Sequence, residues 1–170
     1  MTTNNFEFIN LDLNDKKMMD KLAPIYMAYE AEISKEPIED IFPPDTPDEN
    51  YNEAVEYFSR GLDTQIALQN GEIAGFVCFH IVTDDMPGYI KNTNGWGHLS
   101  EIYVTPKHRK SGLGKLLADI AEKHLQPLNI PGIILTDIAD NGTFWQKMGY
   151  HYTGEIEPNE GGKIYKKLFS

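Results

Sequence analysis

Residues 6–13 alternate polar and apolar side chains, the period-two pattern of a half-buried strand. After Asn14, a helix cap by its chemistry, apolar residues return at Met18, Leu22, Ile25, Tyr26, Tyr29 and Ile33. That spacing predicts one buried helical face. Pro24 falls inside the run and is expected to kink or split the helix. Residues 36–47 hold four prolines and read as a loop. Thr46-Pro47-Asp48-Glu49 then has the form of a capping box with proline at the first helical position. Tyr51, Val55, Phe58 and Leu62 give that second helix its face, and Gly61 ends it.

The period then changes. Residues 64–68 and 73–82 are rich in strand formers and meet at Asn70-Gly71, a strong hairpin signal. A polar loop over 83–95 leads to a strand at 98–104, broken by Pro106. Over 112–125 the residues Leu113, Leu116, Leu117, Ile120, Ala121 and His124 share a helical face. A short strand at 133–138, a short helix at 144–148 closed by Gly149, and strands at 150–156 and 163–169 complete the chain. Strands interrupted by single helices predict a mixed α/β (α+β) fold with helices on both faces of one sheet. No linker or repeat divides the chain, so residues 1–170 are expected to form a single domain.

Charge adds what periodicity cannot. The net charge of −11 argues against a nucleic-acid partner, which needs clustered cations. Yet residues 102–118 carry Lys107, Arg109, Lys110 and Lys115 and no acid, whereas residues 30–56 carry ten acids and one lysine. A local anionic ligand is expected at the first segment and a cationic one at the second. No membrane-length apolar run and no secretory leader pattern is visible, so a cytoplasmic protein is expected, as monomer or homodimer. Cys78, the single cysteine, reads as a small core residue. The histidines lack metal-binding spacing, so no metal is expected, and no serine-hydrolase elbow is present.

The chemistry concentrates in one passage, Leu99-Ser-Glu-Ile-Tyr-Val-Thr-Pro-Lys-His-Arg-Lys-Ser-Gly-Leu-Gly-Lys-Leu-Leu117. A strand runs into a basic turn, and two glycines then open a helix. Glycine lets the backbone approach a ligand, and the first-turn N–H groups have no helical acceptor. With the helix dipole, this is a cradle for a pyrophosphate. A Walker A loop would need glycine at Arg109 and Ser or Thr at Leu116; a dinucleotide fingerprint would need glycine at Leu117. Both are excluded.

Arg109-Lys-Ser-Gly112-Leu-Gly114 resembles the acetyl-CoA motif of the GNAT acyltransferases, [Q/R]-x-x-G-x-[G/A]. Ile102-Tyr-Val-Thr-Pro106 is similar to the family's preceding strand, and Phe144-Trp-Gln-Lys-Met-Gly-Tyr150 to its downstream F-Y-x-K-x-G-F signature. The resemblance implies a mostly antiparallel, twisted sheet of six or seven strands with about four helices. It implies acetyl-CoA as co-substrate and acetyl transfer to a primary amine by direct attack, through a tetrahedral intermediate. By the same resemblance, the cradle is Arg109, Lys110, Ser111, Gly112, Leu113, Gly114 and Lys115. Ile102, Tyr103 and Val104 would pair through their backbone with the pantetheine arm, the Val104 N–H polarising the thioester carbonyl. Asn141 and Trp145 would flank the arm's far end.

Glu101, on the same strand, is the candidate general base, because an amine with a pKa near about 10 must lose a proton before it attacks. The sequence departs from the family at Trp145, where a tyrosine often protonates the leaving thiolate, and at Asn141, which lies closer to that aromatic than is usual. Tyr150 and Tyr103 are the nearest hydroxyls that could replace the acid, and Tyr150 is taken as the candidate. The acidic segment points to a small cationic acceptor. The alternative is a CoA-binding sensor that keeps the fold and has lost turnover.

Overall fold

The computed structural model describes residues 5–86 and 90–170. Residues 87–89 of the expected 83–95 loop lie outside them. The elements run β1 (Glu7–Asn10), α1 (Lys16–Ser34), α2 (Ile38–Ile41), α3 (Pro47–Phe58), β2 (Asp63–Gln69), β3 (Glu72–Ile81), β4 (Gly97–Val104), α4 (Leu113–Leu125), β5 (Gly132–Asp137), α5 (Gly142–Lys147), β6 (His151–Ile156) and β7 (Lys163–Leu168). Short 3-10 turns lie at Pro106–His108 and Gln126–Leu128. The seven strands form one sheet in the order β1-β2-β3-β4-β5-β7-β6. β4 and β5 are parallel, while β1 with β2, β5 with β7 and β6 with β7 are antiparallel.

The expected elements are present, with local differences that have physical causes. Asp15, not Asn14, caps α1: its carboxylate accepts the Met18 N–H at 3.0 Å, while the Asn14 N–H turns back to Asp12 at 2.9 Å. α1 runs through Pro24 unbroken, because Pro24 sits on the exposed side. The opposite face, Met19, Leu22, Ala23, Tyr26 and Tyr29, is buried and holds the turns together. One helical turn, α2, forms within the proline-rich stretch, which is otherwise loop. Thr46 precedes α3 without capping it: its hydroxyl turns back to donate to the Pro43 carbonyl at 3.0 Å, and its oxygen accepts no helix N–H. The Asn70-Gly71 hairpin forms as its residues require, with φ of 54° and 77°.

The chain gathers into two compact units, residues up to Phe76 with Tyr103–Gly114, and Val77–Ile102 with Lys115–Ser170. It passes between them inside β3, β4 and α4. The first unit has an aromatic core. Tyr26 meets Phe42, Tyr57 and Phe58, and Tyr29 meets Phe76 and Tyr103 at ring separations of 5.5 and 5.4 Å.

In the second unit β5 lies against β7 so closely that a Cβ on Gly132 would stand 2.1 Å from the Lys167 carbonyl oxygen. Only glycine fits there. Trp145 packs edge-on against Tyr150 at 5.4 Å, closing α5 onto the start of β6.

Candidate active site

In the first unit the turn after β4 is locked before the glycine loop begins. The Thr105 N–H and hydroxyl both donate to the Ala74 carbonyl, at 2.9 and 3.1 Å. Buried His108 holds the same hydroxyl through Nδ1 at 2.8 Å. From this fixed point the backbone turns twice through the left-handed region, at Lys110 (φ 61°) and Gly112 (φ 85°). Alternation of this kind turns successive N–H groups toward one concave side, which suits an anion. A Cβ on Gly112 would meet nothing within 4 Å, so the loop is open above that position. Ser111 seats it, donating to the His108 carbonyl at 2.5 Å and receiving the Leu113 N–H at 3.4 Å. The Leu113 side chain is in the core, which leaves only its backbone for a ligand. α4 follows, long enough for its dipole to count.

The basic side chains are less available than the sequence suggests. Lys107 pairs with Glu72 at 2.7 Å and Lys115 with Asp119 at 2.7 Å. Arg109 turns away from the loop: Nη2 reaches both oxygens of Glu32, at 2.8 and 2.6 Å, and Nε donates to the Val104 carbonyl at 3.0 Å. Its guanidinium stands 5.7 Å over the Tyr103 ring, whose hydroxyl donates to Glu32 at 3.5 Å. Burial, and then Glu32, raise the Tyr103 hydroxyl above its ordinary value. Tyr103 therefore belongs to the aromatic core and to this ion pair. Among the described residues Lys110 makes no ion pair, and it is the loop's uncommitted cation. Glu32 gives no signal in the sequence beyond being one acid among ten.

β4 carries an extra residue relative to β3. At one end the Val82 N–H donates to the Trp96 carbonyl and the Gly95 N–H to the Val82 carbonyl. With Gly95 at φ 82°, this is a glycine bulge that places Trp96 opposite Val82 and His98 opposite His80. The two histidine rings lie 5.1 Å apart, as that register requires. At the other end the Thr105 N–H donates to the Ala74 carbonyl, placing Tyr103 opposite Phe76; those rings lie 5.8 Å apart. β3 advances four residues from Phe76 to His80, while β4 advances five from His98 to Tyr103. Since Ser100 still shares the face of His80, at 3.0 Å, the bulge falls at Glu101-Ile102.

The second unit shows what this bulge accompanies. β4 and β5 pair only at Gly97↔Ile133 and His98↔Ile134, although β5 continues to Asp137. From Leu99 onward the β4 edge is off that ladder, and an unpaired edge inside a sheet can receive another extended, amide-bearing chain. Here Glu101 keeps some solvent access as a residue, but its carboxyl is withdrawn from water. Burial, reinforced by the Glu160 carboxylate, pushes it up to about 8. Upstream on the strand, Ser100 lies between two buried histidines, 3.0 Å from His80 Nδ1 and 3.5 Å from His98 Nδ1. Burial and the neighbouring His80 push His98 down to about 4, so its ring is neutral at physiological pH.

The remaining candidates divide. Asn141 begins α5 exposed; its N–H donates to Asp137 at 2.9 Å, and its side chain does not cap the helix. Trp145 is buried and packs on Phe144 and Tyr150. Tyr150 is fully buried under Lys167, whose Nζ lies 5.6 Å over its ring. Among the described residues its hydroxyl makes no hydrogen bond of regular geometry, although the Glu122 carboxylate lies beside it. Burial, then the Glu122 charge, raise it far above an ordinary phenol. That placement removes the ground for Tyr150 as an acid: a hydroxyl closed off from solvent, beside a carboxylate, is poorly placed to deliver a proton.

A mixed seven-stranded sheet with a glycine-turned loop opening α4 and a parallel strand pair that parts after two residues defines an acetyltransferase fold. The chain belongs to the acetyltransferase (GNAT) family, whose model matches residues 25–150, and it is therefore an enzyme of the acyltransferase class. Among solved structures it resembles the PaiA N-acetyltransferase of Thermoplasma acidophilum in complex with coenzyme A (18% identity, TM-score 0.67, 97% of this chain and 99% of that one). It also resembles a GNAT family acetyltransferase of Brucella melitensis in complex with acetyl-CoA (13%, TM-score 0.60, 98% and 90%). A third likeness is to the aminoglycoside 6′-acetyltransferase type Ii (18%, TM-score 0.64, 95% and 96%). At these identities the likeness is one of fold. No curated protein sequence matches the chain.

Proposed function

We propose that this enzyme transfers an acetyl group from acetyl-CoA to a primary amine of a small cationic acceptor. The observation that carries the reading is the loop from Arg109 to Lys115, whose left-handed turns at Lys110 and Gly112 open α4 toward empty space. A backbone nest at a helix N-terminus fits a pyrophosphate, and its amides are available even while the basic side chains are paired. In this reading the edge of β4 at Ile102 and Val104 holds the donor's amide-bearing arm. Acetyl-CoA supplies an activated acyl group; the chain binds it, orients it and takes up the amine's proton.

Glu101 is the group proposed for that proton. With its carboxyl pushed up to about 8, it is protonated in the resting enzyme at neutral pH. A cationic amine arriving beside it favours the carboxylate, which then accepts the proton that the amine gives up as it attacks the acyl group. Trp145 and Tyr150 are given no proton-transfer role, and solvent returns the proton to the thiolate. The ten acids of residues 30–56 support a cationic acceptor. So does the fold's likeness to an enzyme named for aminoglycosides, which carry several amines.

A thermal-shift titration with acetyl-CoA, followed by free-thiol release with an amine panel and mass spectrometry of the products, tests the reading. Stabilisation by acetyl-CoA but not by NAD, with acetylated product from a cationic amine, is expected. No stabilisation at millimolar acetyl-CoA refutes the donor; stabilisation without thiol release from any amine favours a binding module.

A further inference from the structure

Arg109 is the first residue of the glycine loop, yet its side chain is spent on the protein itself. One nitrogen, Nη2, holds both oxygens of Glu32 and Nε holds the Val104 carbonyl, while Nη1 takes no part in these contacts. The pair is accessible, with 42% of the Arg109 side chain and 49% of that of Glu32 exposed, so water can replace either partner. Glu32 sits near the C-terminal end of α1, far along the chain from the loop. Its carboxylate is the anion that reaches the loop's own arginine.

We propose that Glu32 is a positioning residue that competes with the donor's pyrophosphate for Arg109, holding the guanidinium against β4 until the polyanion displaces it. The inference rests on the acetyl-CoA reading above. Before and after the exchange Arg109 is paired, since one anion replaces another. A pyrophosphate outbids a single half-exposed carboxylate because it carries more charge and more acceptor oxygens. The competition lowers the donor's apparent affinity by the fraction of Arg109 that Glu32 retains.

Isothermal titration of coenzyme A into the full chain tests this. Glu32→Gln keeps a polar side chain and removes the charge, so coenzyme A is expected to bind about twofold to fivefold tighter, the range an exposed ion pair supports. Glu32→Ala gives the same sign. In an Arg109→Gln background the Glu32 substitution is expected to change nothing, because the competitor has lost its target. Weaker binding by Glu32→Gln would mean that the pair braces the loop for the donor, and would overturn the proposal. An equal gain in the Arg109→Gln background would reduce it to long-range charge and overturn it too. A wild-type chain that binds no coenzyme A removes the donor reading and this one together; wild-type binding unmoved by Glu32→Gln removes this one alone.

Discussion

Replacing Glu101 by glutamine separates the cost of that side chain from its use. Its carboxyl is moved from 4.5 to about 8, chiefly by burial. Below pH 4.5 folded and unfolded chains both hold the proton, and the variant should match the wild type in stability. As the pH rises toward 8, the unfolded chain gives up a proton that the folded chain keeps, so the wild type loses stability relative to its neutral isostere. Above the folded value both states are ionised and the difference levels off. At about 1.4 kcal/mol per unit, the full shift corresponds to roughly 5 kcal/mol. The partly exposed strand around it can relax to admit water when the carboxyl ionises, and about 2 kcal/mol is the expected gain at pH 8.5. For a chain of this length, that raises the melting temperature by about 4–8 °C. Chemical denaturation at pH 4, 6 and 8.5 reads the trend. In the same variant kcat should fall severalfold to a hundredfold or more with coenzyme A affinity nearly unchanged, and the rise of activity with pH near 8 should vanish. A Glu101→Gln protein less stable than wild type at pH 8.5 would mean that a cation compensates the carboxylate. Wild-type kcat with an unaltered pH profile would make Glu101 a bystander.

Other outcomes follow from single positions. Gly112→Val places a branched side chain at φ 85° and over the open loop; it should lose about 1–2 kcal/mol by denaturation and all measurable coenzyme A binding by calorimetry. Gly132→Ala drives a methyl into the Lys167 carbonyl and should cost about 3 kcal/mol, read as a fall in melting temperature without a ligand effect. Tyr150→Phe removes a buried hydroxyl that makes no hydrogen bond of regular geometry among the described residues, so kcat should stay within about twofold and stability within about 1 kcal/mol; a collapse of kcat would restore Tyr150 as an acid. The acceptor KM should rise with salt if residues 30–56 attract a cation, because exposed charges are screened.

Local chemistry was enough for much of this protein. Side-chain period separated the helices from the strands, and Asn70-Gly71 demanded a turn that only left-handed residues can make. The loop from Arg109 to Gly114 was legible because close approach by a phosphate requires glycine at fixed offsets, a requirement written in consecutive residues. What needed partners distant in sequence stayed hidden. The bulge at Glu101-Ile102 exists only in the register of β4 against β3, and it accompanies the carboxyl's withdrawal from water. Arg109 and Glu32 lie 77 residues apart, so no spacing rule could tell that the motif's first cation is already taken. Tyr150 looked available because a sequence names a hydroxyl without saying which way it points; packing under Lys167 and against Trp145 closed it off. Pro24 looked like a break because the lost hydrogen bond is local, whereas the buried face that keeps α1 whole is assembled from residues far along the chain. Periodicity and turn chemistry act within a few residues and so can be read in order. Desolvation, register and ion pairing are properties of the surroundings, and those are set only when the chain has folded.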